Sequence, residues 1–157
     1  MVINYNFIAL EDNNMSSLIP YLTFDNTKEA LAYYEAVFGA TDIQRLPVDA
    51  NQASNFGLAE TEAENATMHA EFKIAGTTVL ASDAFGGNSK INDSIALLID
   101  YDLNNEADTR EVEALYERVS QHESIEVAMP LAEQFWGGKM AVFTDKYNVK
   151  WMLHGQH

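Results

Sequence analysis

Apolar and polar residues alternate strictly along residues 66–76. Met68, Ala70, Phe72 and Ile74 fall on one side of an extended chain, and His69, Glu71 and Lys73 on the other. A strand of this kind packs one face on a core and leaves the other free for polar chemistry. Ala75-Gly76 turns the chain, and residues 77–83 return as an antiparallel partner. Upstream, 18–24 reads as a short strand with Pro20 near its start, where a missing ladder donor costs least. Asn26 is the expected N-cap of a helix, with Glu29 three residues on as in a capping box. Ala30, Leu31, Tyr34, Val37 and Phe38 recur at helical spacing as one buried stripe, and Gly39 is the expected stop. Residues 41–48 read as a second strand. Residues 49–64 have no period, are acidic and small, and predict a mobile loop or lid.

The second half repeats the pattern. Residues 94–100 read as a strand, and Asp108 is the expected N-cap of a helix whose stripe is Val112, Leu115, Tyr116 and Val119. A strand over 125–130 follows. Residues 139–144 and 149–154 make a hairpin around Asp145-Lys146-Tyr147-Asn148, where asparagine tolerates a left-handed backbone. Asn26/Asp108, Glu29/Glu111, Ala32/Ala114, Tyr34/Tyr116, Glu35/Glu117 and Val37/Val119 all stand 82 positions apart. Each half therefore orders as strand, helix and three strands. The fold class is α+β, with two βαβββ modules over residues 18–90 and 91–157, preceded by an extension over 1–17. One such half leaves a sheet face bare, so pairing two halves is the physical solution.

Composition narrows the function classes. The 157 residues hold no cysteine, which excludes disulfides and thiolate metal sites. A formal charge of −15 argues against nucleic acid and anionic membrane surfaces as partners. No apolar run approaches the ~18 residues of a membrane span. The N-terminal segment lacks the basic start and apolar core of a signal peptide, with Glu11-Asp12-Asn13-Asn14 following soon after. Tyr5 to Leu10 would suit an extra strand. The expected location is cytoplasmic. Phe85-Gly86-Gly87-Asn88-Ser89-Lys90 lacks the spacing of a phosphate loop and reads as a linker or pocket rim.

Several segments, taken in order, resemble the vicinal oxygen chelate superfamily, the glyoxalase/bleomycin-resistance/dioxygenase fold, and within it the PhnB-like branch often labelled a 3-demethylubiquinone methyltransferase domain. They are Pro20-Tyr21-Leu22-Thr23-Phe24, Ala30 through Tyr33-Tyr34 to Phe38-Gly39, Met68-His69-Ala70-Glu71-Phe72, Ala81-Ser82-Asp83, Gln134-Phe135-Trp136-Gly137, and Asp145-Lys146-Tyr147 running to Trp151. Asn148 stands where that branch usually has glycine. The resemblance implies a concave mixed-sheet cup, a homodimer, and a ligand site faced by both modules. Metal-bearing members hold the ion with His, Gln or Glu from four strands. The positions implied here are Ile19 or Tyr21, then His69, Ser94 and Met152. Only His69 is a good ligand for a hard divalent ion, so no cofactor is expected. A displaced set of His69, Glu71 and His154 is the alternative for a divalent metal.

His69 and Glu71 are the candidate catalytic pair. His69 is read either as a buried histidine satisfied by a neighbour or as a ligand contact and acid–base group. Tyr21, His69, Ser82, Ser94, Trp136, Met152 and His154 are the candidate ligand-binding residues. Tyr21 offers a phenol, and Trp136 sits on a glycine-flanked loop able to close over a flat ligand. The expected function is binding of a small organic molecule. A metal-dependent lyase, isomerase or dioxygenase-type enzyme is the alternative, as is a metal-free enzyme using His69.

Overall fold

The structure, a computed structural model, describes residues 16–87 and 89–157. The strand suggested at Tyr5 to Leu10 lies outside the described residues. The chain forms two compact units, Met1–Ser89 and Lys90–His157.

In the N-terminal unit, strand β1 (Tyr21–Phe24) leads into helix α1 (Thr27–Tyr33), which continues as a π turn over Tyr34–Phe38. Strands β2 (Thr41–Pro47), β3 (Thr67–Ile74) and β4 (Thr77–Asp83) complete a four-stranded sheet in the order β1-β4-β3-β2. β1 runs parallel to β4, and the other pairs are antiparallel. Asn26 caps the helix as expected, its Oδ1 accepting from the Glu29 N–H at 3.1 Å. Gly39, at φ 70°, ends the π turn in the left-handed conformation. The π turn carries Tyr34, Val37 and Phe38 all into the core. Tyr34 has no exposed surface and lies between Phe24, Phe38 and Phe72, with ring centroids 6.0, 5.1 and 5.3 Å away. Phe72, Ala70 and Ile74 thus face the helix, and His69, Glu71 and Lys73 take the opposite face.

Residues 49–64 are not the irregular loop that their composition suggested. They form two 3-10 helices, Ala50–Phe56 and Glu60–Asn65. Val48, Ala53, Ala63 and Ala66 make a small core of their own, with Phe56, Leu58, Met68 and Phe85 packed against it. Phe56 and Phe85 meet at 4.6 Å between centroids. Alanine is too small to mark an apolar period, and two of the larger partners, Met68 and Phe85, come from other parts of the chain. Arg45 clamps the end of this segment by donating to the Glu64, Ala66 and Thr67 oxygens.

The C-terminal unit repeats the plan with β5 (Ala96–Asp102), α2 (Glu106–Ser120), β6 (Glu126–Glu133), β7 (Lys139–Thr144) and β8 (Lys150–Gln156), in the order β5-β8-β7-β6. The helix begins earlier than expected, and its N-cap is Asn105, not Asp108. Asn105 Oδ1 accepts the Asp108 N–H at 3.1 Å, while the Asp108 carboxylate turns back to the Asp102 N–H at 2.9 Å. Both residue types cap equally well, and the tertiary position of β5 chooses between them. The strand expected from residue 94 starts at Ala96, and Ser94 sits in the preceding turn with its N–H on Asn92 Oδ1. In the hairpin Asn148 adopts φ 67°, the left-handed backbone expected there. Asp145 is buried and accepts from the Trp151 indole, Tyr147 and Val149 N–H groups at 2.9, 2.8 and 3.1 Å.

The two units superimpose in logic residue by residue. Tyr34 stacks on Phe72 as Tyr116 leans on Phe143, at 5.3 and 6.5 Å between centroids. Strand register then makes Met140 the counterpart of His69, Val142 of Glu71, Leu98 of Tyr21 and Met152 of Leu80. His154 answers to Ser82, and Asp100 to Thr23.

Candidate functional site

In the N-terminal unit the face opposite α1 gathers the predicted groups on neighbouring strands. Register places Gln44, Glu71, Leu80 and Tyr21 in one row across the sheet, with Leu46 and His69 in the next. Tyr21 and His69 meet directly. The phenol oxygen lies 3.2 Å from His69 Nδ1, and the two rings stand 5.7 Å apart at 34°. Half of Tyr21 is exposed and His69 is partly buried, so the pair spans from solvent into the sheet face. Ser82 is buried on the same face, its hydroxyl near the Asp83 carbonyl oxygen at 3.4 Å.

Glu71 is the unusual group. It is 3% exposed, and its Oε2 is buried without a hydrogen-bond partner among the described residues. A buried carboxylate oxygen left unpaired costs about 1–3 kcal/mol, so a group retained there calls for a reason. The alternation that singled out Glu71 in the sequence gave no sign of this burial. Asp83, at the end of β4, is structural: its two carboxylate oxygens accept the Thr27 N–H at 2.8 Å and the Thr67 N–H at 3.0 Å, tying the start of α1 to the start of β3. The adjoining glycine-rich segment lines an open cleft of about 530 Å³ with Asp25, Leu58 and Asp83, in keeping with its reading as a rim.

In the C-terminal unit the corresponding face is apolar on β7, where Met140 and Val142 replace His69 and Glu71. Its polar groups have moved to β8 and β5. His154 Nδ1 lies 2.7 Å from Asp100 Oδ1, and Gln156 Nε2 donates to both Asp100 oxygens at 3.0 Å. The Trp136 ring lies 5.2 Å from that of His154. Asp100 was not singled out from the sequence, because its importance depends on parallel pairing of β5 with β8. Met152 is on the same face, and exposed Ser94 lies outside the strand.

The residues present do not fit the superfamily's metal. Tyr21 and His69 bond to each other, Ser94 is off the sheet, and Met152 is a soft thioether. His69 and Glu71 are two residues apart on one strand, roughly 7 Å. Among the described residues no group of three or more His, Asp or Glu side chains is placed to hold a metal ion.

The family model described as 3-demethylubiquinone-9 3-methyltransferase matches residues 16–154. Protein YjdN of Escherichia coli K12 is 28% identical over 144 residues, 87% of this chain and 93% of YjdN. Among solved structures, a PhnB protein from Bacillus cereus carrying the same methyltransferase description is 20% identical, with TM-score 0.57, covering 90% of this chain and 100% of its own. A mutant of the fosfomycin resistance protein FosX from Listeria monocytogenes, complexed with Mn(II) and 1S,2S-dihydroxypropylphosphonic acid, is 17% identical, with TM-score 0.53, over 90% of this chain and 92% of FosX. At these identities the structural likeness speaks for the fold, the glyoxalase/bleomycin-resistance arrangement of two four-stranded mixed sheets.

Proposed function

The chain belongs to the family described as 3-demethylubiquinone-9 3-methyltransferase, the PhnB-like branch of the vicinal oxygen chelate superfamily, and we propose that it binds a small organic molecule on the sheet face carrying Tyr21, His69, Glu71 and Ser82. The observation that carries this reading is the unpaired, buried Oε2 of Glu71 beside the Tyr21–His69 pair. A ligand that donates a hydrogen bond satisfies that oxygen and recovers its desolvation cost. Tyr21 supplies an exposed aromatic surface, and His69 a second polar contact. In the C-terminal unit Met152, His154 and Trp136 are the groups available to a ligand. Among the described residues no helix is long and apolar enough to cross a membrane. We read the protein as a cytoplasmic homodimer, a reading supported by the absence of cysteine and by the exposed Leu98 and Met129 on the C-terminal sheet.

Two measurements test this. A thermal-shift screen of aromatic and 2-oxo compounds should find stabilising ligands, since a ligand at 100 times its Kd adds about 2.7 kcal/mol. Those shifts should vanish in Glu71→Leu and shrink in Tyr21→Ala. Metal analysis of the purified protein bears on the second reading, a metal-dependent enzyme, which the Mn(II) complex of FosX favours. Stoichiometric metal that disappears in His69→Ala would replace the binder reading with that one.

A further inference from the structure

The mixed chemistry of the C-terminal unit points to a site of its own. A cleft of about 300 Å³ is lined by Trp136, Gly137, Gly138, His154, Gln156 and His157. That volume lies at the lower end of small-molecule sites. Its aromatic wall is built by the backbone. Gly138 has no side chain, and a Cβ there would stand 1.9 Å from the Trp136 ring and 2.5 Å from the Gly155 carbonyl oxygen. The indole can therefore pack directly against Gly138, close to the imidazole of His154, while 44% of the tryptophan stays exposed. The polar wall is held just as firmly. A carboxylate only accepts hydrogen bonds, so the 2.7 Å contact from His154 Nδ1 to Asp100 places the ring hydrogen on Nδ1. When the ring is neutral, Nε2 is left as an acceptor. Gln156, bonded to both Asp100 oxygens, fixes the carboxylate that fixes the imidazole.

We propose that Asp100, His154 and Trp136 form a binding site for a planar aromatic molecule that bears a hydrogen-bond donor, a phenol or an N–H heteroarene, with its ring on Trp136 and its donor on His154 Nε2. The Asp100 carboxylate at the same place disfavours anionic ligands and admits neutral or cationic ones. His154 and Trp136 would contact the ligand, and Asp100 is a positioning residue.

The probe pair is phenol and anisole, two neutral aromatic molecules of which only phenol donates. They are titrated into the full-length, ¹⁵N-labelled chain and followed at the Trp136 indole N–H and the His154 ring nitrogens. Trp136→Phe distinguishes the Trp136 signal from that of buried Trp151. The measurement is made at a pH where the ¹⁵N shifts report a neutral His154. Phenol should give saturable shifts at both residues, with a Kd on the order of 1–10 mM, the range open to so small a ligand. Anisole should bind about tenfold more weakly, the effect of one hydrogen bond. In His154→Phe a ring remains but the acceptor is gone, so phenol should lose its advantage over anisole. In Asp100→Asn the ¹⁵N shifts should show the ring hydrogen redistributed between Nδ1 and Nε2, and phenol should bind more weakly. Equal affinity for phenol and anisole, shifts confined to His69, or a phenol preference that survives His154→Phe each overturn the proposal, as does the absence of saturable shifts.

Discussion

Replacing Glu71 with methionine should stabilise this protein. Glu71 is almost fully buried on β3, between Gln44 on β2 and Leu80 on β4, with Oε2 unpaired among the described residues. Methionine keeps the unbranched stem and fills a similar volume without a polar end. Removing the unsatisfied oxygen recovers about 1–3 kcal/mol, and burying the thioether adds to it. For a chain of 157 residues, 1 kcal/mol corresponds to roughly 2–4 °C in Tm, so a rise of about 2–12 °C is expected. The assay is urea denaturation with calorimetry. The midpoint should rise at constant m-value in the transition that reports the N-terminal unit. Glu71→Gln serves as the control: its amide stays polar and should gain less than half as much. A Glu71→Met protein less stable than the parent by 1 kcal/mol or more would refute the reasoning, because the carboxylate would then be making bonds that stabilise the fold. If the gain appears and ligand-induced thermal shifts are lost with it, the carboxylate is retained for binding at the expense of stability.

Other perturbations probe the frame around the two faces. Asp83→Ala strands the N–H groups of Thr27 and Thr67, both in fully buried residues, and should cost about 2–4 kcal/mol in denaturant unfolding. Gly138→Ala drives a Cβ into the indole of Trp136; overpacking of this kind costs about 1–3 kcal/mol, and Trp136 fluorescence should shift as the ring leaves its seat on His154. Tyr101 is pushed from 10.0 up to about 12, chiefly by burial, then by the charge of Glu113 and a hydrogen bond to it. The folded state thus holds the phenolic proton that the unfolded state releases, so this contribution to stability is complete below pH 10 and is lost as pH rises from 10 towards 12. Tyrosinate absorbance should show one group titrating late, and Glu113→Gln should move it down.

Much of the fold was legible because it is written in local patterns. The alternation through Met68 to Ile74, the Asn26 cap, the Gly39 stop and the left-handed Asn148 are each decided by a few neighbouring residues, and all occur as read. Local signals failed where two equivalent solutions compete. Asn105 and Asp108 cap equally well, and only the end of β5 makes Asn105 the cap. They failed again over 49–64, where alanines leave no period and the packing partners Met68 and Phe85 lie elsewhere in the chain.

The site divides in the same way. The sequence alone determined that His69 and Glu71 share a strand face, because side chains on a strand alternate with a period of two. It also determined that the second half repeats the first, because the helix core positions Tyr34/Tyr116 and Val37/Val119 recur at one offset and the order of elements is the same. Only the tertiary structure decided what those groups meet. The hydrogen bond of Tyr21 to His69 and the pairing of Asp100 with His154 depend on strands β1 and β5 lying parallel beside β4 and β8, and Glu71 is buried on β3 between β2 and β4. These contacts join residues 48 and 54 positions apart. No propensity or period spans such a distance; cross-strand register does, and register is set by packing of the opposite, apolar face.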